Sequence, residues 1–297
     1  MPGDSRARSG CWRWKKRSLK RADTARLVAL AAIWGAAFLF NRIAAPAVGP
    51  VLTAELRTLI AGIALAAYFA LTGFNPQWRR FGRHYVLMGV LTSGVPFLLW
   101  AYSALSLTAG LMAVLNATSP MWGAICSAAL LRERITPRAA AGLVIGIAGV
   151  ALITGPGTGA VLPVAAALGA AFCYGLSGVY MKRWAAGVPS RGMAMGTQLS
   201  AGVLLIPLLA VWPPYAAPTA AIAAAIFALG LLCGAVAYVL YFRLITDIGA
   251  TGALTVTYLI PVFGVLWGAI FLGETLTLPM VGGALLVVLG TVFVLRK

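Results

Sequence analysis

Ten stretches of this chain are apolar on every face and long enough, or nearly so, to cross a lipid bilayer. They are 27–47, 51–73, 85–107, 109–131, 137–154, 161–181, 192–212, 219–245, 250–272 and 277–295. A hydrocarbon core of about 30 Å needs about 20 apolar residues per helix, and a helix without a polar stripe belongs in lipid or a deep core. Backbone groups in hydrocarbon must satisfy one another, which leaves helices or a closed β-barrel. Barrel strands would be short and alternating, so the fold class is an all-α integral membrane protein with ten transmembrane helices. The span 137–154 reads as the shortest. The first span has a basic flank and an Ala45-Pro46-Ala47 stretch that imitates a cleavage site. It also carries Asn41 and Arg42 and is long for a signal peptide, so it reads as helix 1.

Composition removes the soluble alternatives. Of 297 residues, 61% are hydrophobic and 10% are charged, with six acids in all. Soluble domains carry about 25% charged residues, so a soluble enzyme, a secreted disulfide scaffold and a disordered chain are excluded. The net charge of +17 is concentrated: nine of the 23 basic residues lie in residues 1–26. This segment reads as a disordered cytoplasmic tail. Its charges sit directly before an apolar span, where the positive-inside rule explains them without nucleic acid as a partner. Trp12 and Trp14 suit a membrane–water interface with anionic headgroups. With the N-terminus inside, 21 of the 23 basic residues fall on the cytoplasmic side, and the outer loops 155–159 and 213–219 hold none. Both termini are therefore expected to be cytoplasmic, in a multi-pass protein of the plasma (inner) membrane. Cys11, Cys126, Cys173 and Cys233 lack metal-ligand spacing and His84 is the single histidine. No metal site and no cofactor is expected.

The two halves repeat. PMWGAICSAALLRERIT (120–136) lies over PVFGVLWGAIFLGETLT (261–277) at an offset of 141, pairing Glu133 with Glu274 and continuing through Gly142 with Gly283 and Gly149 with Gly290. Earlier in the halves an offset of 140 pairs Gly35 with Gly175 and Arg42 with Lys182. Residues 27–154 form the first repeat (helices 1–5) and 161–296 the second (helices 6–10). Five crossings per repeat set the second copy upside down, a building plan of secondary transporters with the cargo site near the midplane. The motifs also resemble a known family. WGAAFLFNRIA (34–44), NATSPMWGAICSAALLRERIT (116–136) and TYLIPVFGVLWGAIFLGETLT (257–277) are similar to signatures of EamA-type members of the drug/metabolite transporter superfamily. That resemblance covers nearly all of 25–296. It implies two inverted five-helix repeats, a cavity lined mainly by helices 1, 3, 4, 6, 8 and 9, peripheral helices 5 and 10, and export of small metabolites, amino acids or drugs. One departure is LLRE in the first copy where the second has LGE, which bears on the turn before helix 5.

Polar and aromatic residues near mid-span are the candidate substrate-binding set: Trp34, Asn41, Tyr102, Asn116, Ser119, Tyr174, Ser177, Tyr238, Thr257 and Tyr258. Trp34 and Tyr174 are repeat-equivalent, as are Asn116 and Thr257. The alternative role for such residues is to join helix to helix. Intramembrane charges are candidates by default because they are expensive. Here they are Arg42, Glu55 and Arg57, with Glu55 expected to pair with one of the two arginines. Glu133 and Glu274, each three residues before a Thr, read as caps of the helices that follow them. Gly142 with Gly146, and Gly283 with Gly290, give helices 5 and 10 small faces that also suit a homodimer contact.

The resulting functional expectation is a secondary transporter that exports an uncharged or zwitterionic small metabolite or drug by alternating access. Two alternatives stand beside it: a membrane ligand sensor or scaffold without flux, and a membrane-embedded enzyme. Enzyme chemistry in a membrane needs paired carboxylates, a nucleophile with a base, or a metal cluster, and no such set is visible. Glu55 and Asp247 are the only acids placed to couple transport to protons.

Overall fold

The computed structural model describes residues 21–154, 160–253 and 255–295. Most of the basic tail (1–20, with Cys11, Trp12 and Trp14), the loop 155–159, Leu254 and the terminal Arg296 and Lys297 lie outside them. Among the described residues the chain is helical, with no strand. Ten helices occupy the ten expected spans: α1 Arg21–Val48, α2 Pro50–Leu71, α3 Trp78–Ser103, α4 Ala109–Leu131, α5 Pro137–Thr154, α6 Val161–Trp184, α7 Ser190–Val211, α8 Ala220–Gly249, α9 Val256–Leu272 and α10 Leu278–Leu295. Two boundaries differ from expectation. Residues 21–26, read as tail, are the first turns of α1, where Arg26 donates to Asp23 at 3.2 Å and to Asp247 of α8 at 2.8 Å. The shortest helix is α9, with 17 residues from Val256, because the chain from 250 to 253 is still helical beyond the Gly249 kink.

Helix ends follow local chemistry. Gly49, with φ 92°, turns the chain between α1 and α2, and Pro50 opens α2 where its missing N–H costs nothing. The departure between LLRE and LGE proves harmless. Arg132 (φ 56°) and Gly273 (φ 64°) take the same left-handed cap after α4 and α9. In each case the cap N–H returns to a repeat-equivalent carbonyl, that of Ser127 or Gly268. Within the bundle, α4 breaks at Ala117–Thr118, just before Pro120. The carbonyls freed there are met locally: Thr118 Oγ1 donates to Leu115 O at 2.7 Å, and Thr291 of α10 donates to Ala117 O at 2.8 Å. Irregular backbone at membrane depth needs such partners. Both α3 and α8 contain a π-helical segment, Val90–Gly94 and Leu231–Val236, again repeat-equivalent.

Glycines bring the repeats together crosswise. A Cβ on Gly142 would sit 2.6 Å from Gly290 O, and one on Gly149 would sit 2.7 Å from Gly283 O. Gly142 is the equivalent of Gly283 and Gly149 of Gly290, so α5 and α10 run antiparallel and exchange identical contacts. The same crossing recurs between α2 and α7, where Gly62 abuts Leu199 and Gly202 abuts Leu59. It recurs again between Gly35 of α1 and Gly264 of α9, matched by Gly175 of α6 and Gly123 of α4. Exchange of this kind is what a twofold axis between the repeats requires. α5 and α10 turn large apolar side chains outward, with Val144 67% and Leu285 68% exposed, as lipid-facing helices do.

The close α5–α10 contact generates a stability test. Gly142→Leu and Gly290→Leu are expected to lower stability by about 1–3 kcal/mol, the usual cost of overpacking. Gly178→Ala, where no atom lies within 4 Å of the added Cβ, is expected to be neutral or slightly stabilising. Thermal unfolding of the purified variants in detergent measures both.

Candidate substrate site

The chemistry of the bundle centres on Arg57, about two turns into α2 and two residues after Glu55. α2 is anchored there by threonines that bond back along the helix, Thr53 to Gly49 O at 2.8 Å and Thr58 to Ala54 O at 3.0 Å. Gly230 allows α8 to approach so closely that a Cβ would stand 3.0 Å from Arg57 O. Arg57 is 7% exposed and its guanidinium lies over the ring of Phe97 of α3, with Cζ 3.5 Å from the ring centroid. Tyr174 of α6 and Cys233 and Tyr238 of α8 are its electrostatic neighbours. A guanidinium over a ring face gains a cation–π attraction. That contact satisfies none of its five N–H donors. Arg57 Nε is buried without a hydrogen-bond partner.

The surrounding rings come in repeat-equivalent pairs. Trp34 packs on Tyr241 with centroids 5.3 Å apart, and the equivalent pair is Tyr174 beside Trp100. Phe97, under Arg57, is the equivalent of Tyr238, which meets Trp34 edge-on at 6.5 Å. This aromatic cage therefore straddles the axis between the repeats. Two polar elements lack a like counterpart: the charge, since the equivalent of Arg57 is Thr197 on α7, and the amide of Gln198, whose equivalent on α2 is Thr58. Gln198 is fully buried beside Tyr238, and neither its amide oxygen nor its nitrogen is in a hydrogen bond of ordinary geometry.

The expected residues separate on this frame. Trp34, Tyr174 and Tyr238 belong to the cage. Ser177, buried on α6, donates to Tyr174 O at 2.7 Å and so serves that helix. Asn41 is buried on α1; its Nδ2 donates to Ala37 O at 2.7 Å, while its Oδ1 has no partner. Asn116 and Ser119 flank the α4 break, and Ser119 Oγ donates to Asn116 O at 2.6 Å. Thr257 and Tyr258 begin α9, half-buried, each engaged within the protein. Tyr102 stays outside the cage; it is 38% exposed near the end of α3. Residues not anticipated are Phe97, Trp100, Cys233 and Gln198. The first three sit in apolar runs without distinction, and Gln198 was legible only as a lone amide in a span. The cage also differs from the helix set that the family resemblance implies. It draws on α2 and α7, because Arg57 lies over Phe97 and Gln198 lies beside Tyr238.

The charge pairing expected for Glu55 does not occur. Glu55 is 5% exposed, and among the described residues it makes no ion pair with Arg57 or Arg42. Arg42 Nη1 instead donates to Ala104 O at 2.9 Å, at the C-terminal end of α3. A cation there meets unsatisfied carbonyls and the negative end of the helix dipole. Asp247 is taken up by Arg26 at 2.8 Å and Arg243 at 3.1 Å. Among the described residues no group of three metal-ligating side chains occurs.

The repeat-end glutamates also depart from expectation. Thr136 and Thr277 cap α5 and α10, accepting from Ala139 N at 3.2 Å and Met280 N at 3.4 Å. Glu274 crosses to the other repeat and caps α4, accepting from Ala109 N at 2.8 Å and Gly110 N at 3.3 Å. Glu133 caps no helix; it pairs with Lys182. The reason for the difference lies six residues earlier. The Glu274 carboxylate folds over Gly268 and occupies the place that a Cβ would need. The equivalent residue in the first repeat is Ser127, whose Cβ closes that place to Glu133.

Comparison with known proteins agrees with this architecture. The EamA-like transporter family matches twice, over residues 25–155 and 161–296. An uncharacterized transporter of Bacillus subtilis (strain 168), YvbV, is 28% identical over 279 residues, covering 92% of this chain and 91% of its own. The uncharacterized inner membrane transporter YedA of Escherichia coli (strain K12) is 29% identical over 262 residues, covering 84% and 83%. A solved structure described only as that of a protein shares the fold, with a TM-score of 0.65 at 19% identity. The match covers 93% of this chain and 97% of that one.

The two glutamates are expected to respond differently to truncation. Glu274→Ala removes two hydrogen bonds from a helix N-terminus and is expected to cost about 1–2 kcal/mol. Glu133→Ala breaks an ion pair whose side chains are 46% and 60% exposed and is expected to cost less than about 1 kcal/mol. Unfolding temperatures of the pair, measured side by side, test the assignment.

Proposed function

The chain belongs to the EamA-like transporter family, and from that premise we propose that it is a secondary transporter. It exports a small metabolite, amino acid or drug across the plasma membrane, with both termini in the cytoplasm. Cargo sits in the aromatic cage around Arg57, between the two repeats, and alternating access comes from the repeats exchanging conformations. The observation that carries this reading is the crosswise pairing of glycine contacts. Halves joined by equivalent contacts can trade shapes, so a site on their axis can open first to one side and then to the other. The ends of the bundle favour the same reading. One glutamate holds the start of α4 while its equivalent is committed to a surface ion pair, so the two faces are in different arrangements. The distribution of basic residues supports cytoplasmic termini, and YedA is named an inner membrane transporter.

Export is tested by comparing metabolites in the medium of cells producing the wild type, Arg57→Ala, Asn116→Leu or no protein. A compound that accumulates outside only with the wild type names the cargo. Its accumulation rate is expected to fall at least about tenfold in Arg57→Ala, with the variant still inserted and monodisperse. Wild-type flux in Arg57→Ala removes that residue from the path. No difference between producing and empty cells, with protein confirmed in the membrane, favours ligand sensing or uptake over export. A fluorescent protein fused to the C-terminus is expected to fold and glow on the cytoplasmic side, where a periplasmic phosphatase fusion stays inactive.

A further inference from the structure

Arg57 carries a charge that the protein does not balance. It is 7% exposed, it makes no ion pair among the described residues, and its Nε is buried without an acceptor. The acid nearest in sequence, Glu55, does not pair with it. An arginine at a surface could turn to water; this one is held against Phe97 at 3.5 Å in the middle of the bundle. Burying a charge without a counter-charge is strongly unfavourable, and a guanidinium does not escape by losing its proton. Gln198 presents a buried amide beside the Tyr238 hydroxyl, and neither its nitrogen nor its oxygen is in a hydrogen bond of ordinary geometry. Two polar groups with unpaired buried atoms, both beside Tyr238 in one aromatic cage, describe the complement of a ligand's polar head.

We infer that the occupant is a monocarboxylate with a flat apolar body, its carboxylate received by Arg57. The planar fork of a guanidinium matches the two oxygens of a carboxylate. One cation without a second beside it balances one negative charge, and a phosphate dianion would leave a charge uncompensated. The amide nitrogen of Gln198 can donate to an oxygen of the ligand. Trp34, Tyr174 and Tyr238 offer ring faces and edges for an apolar body, so a small hydrophilic acid would leave them unfilled. The assignment also explains why the cage is symmetric in its rings and not in its charge: the body lies across the axis and the head points to one side. It narrows the expectation of uncharged or zwitterionic cargo, which counted fixed charges in the cavity as few without placing this one. It rests on the transport reading for its purpose but not for its binding test.

Radiolabelled phenylacetate binding to the full-length protein in detergent is the probe, with phenylacetamide, phenethylamine and phenyl phosphate as competitors of matched size. Saturable binding is expected, displaced by unlabelled phenylacetate and not by the amide or the amine. Arg57→Gln is expected to weaken it at least tenfold, Gln198→Leu about threefold to tenfold, and Arg57→Lys is expected to retain a preference for acid over amide. Equal displacement by phenylacetamide overturns the proposal, as does unchanged binding in a folded Arg57→Gln or no saturable binding at millimolar concentration. Tighter displacement by phenyl phosphate also overturns it, in favour of a phosphate site. The amide comparison needs only the wild type, so it stands even where a variant fails to fold. Flux in proteoliposomes separates the two readings. Transport of another solute without phenylacetate binding defeats the carboxylate alone, whereas phenylacetate binding without any flux defeats the transporter alone.

Discussion

Helices in a bilayer gain little from hiding apolar surface, because the lipid is as apolar as they are; what holds them is close packing. In this protein that packing is made at glycines, and nearly everything else depends on it. Gly142 and Gly149 meet the backbone of Gly290 and Gly283 directly, and Gly62 and Gly202 admit leucines from the facing helix. Where backbones touch, there is no soft side chain to absorb a change in angle. Helix pairs of this kind are tied backbone to backbone. The aromatic cage lies between such pairs rather than within one.

Two copies that exchange equivalent contacts give the two ends of the bundle the same design, and any asymmetry must then come from residues that differ between them. Two are visible. Ser127 stands where the second repeat has Gly268, and that one Cβ redirects Glu133 from a helix terminus on the other repeat to Lys182. Arg57 stands where the second repeat has Thr197, and it places a single charge in an otherwise paired set of rings. The first difference acts at the ends of the bundle and the second at its middle. Neither disturbs the glycine contacts, which explains how they are accommodated in a common scaffold.

Much of the scaffold was legible in the sequence. Apolar length locates helices because lipid thickness is fixed, and a constant offset reveals a repeat whatever its orientation. Trp34, Tyr174, Tyr238 and Arg57 were legible as polar or aromatic groups at depth. The glutamate roles were not, because the sequence places Glu274 beside α10 and only the fold places it over Ala109 and Gly110. Glu55 shows the opposite error: two positions along a helix is close in sequence and on different faces in space. Phe97 and Trp100 were hidden for a third reason. In a span that is apolar all round, an aromatic facing the centre and one facing lipid look the same.

The π-helical segments in α3 and α8 have a further meaning. A π turn accommodates an extra residue within a continuous helix, and one residue turns everything beyond it by about 100° at 3.6 residues per turn. Phe97 and Trp100 lie just past Val90–Gly94, and Tyr238 and Tyr241 just past Leu231–Val236. The rings that α3 and α8 give to the cage thus take their direction from a surplus residue upstream of them. The surplus occurs at the same place in both halves, so the two helices are turned by the same amount. Losing that residue from one half alone would turn its rings away from the centre while leaving the other half's in place, and the pairing of the rings would be lost.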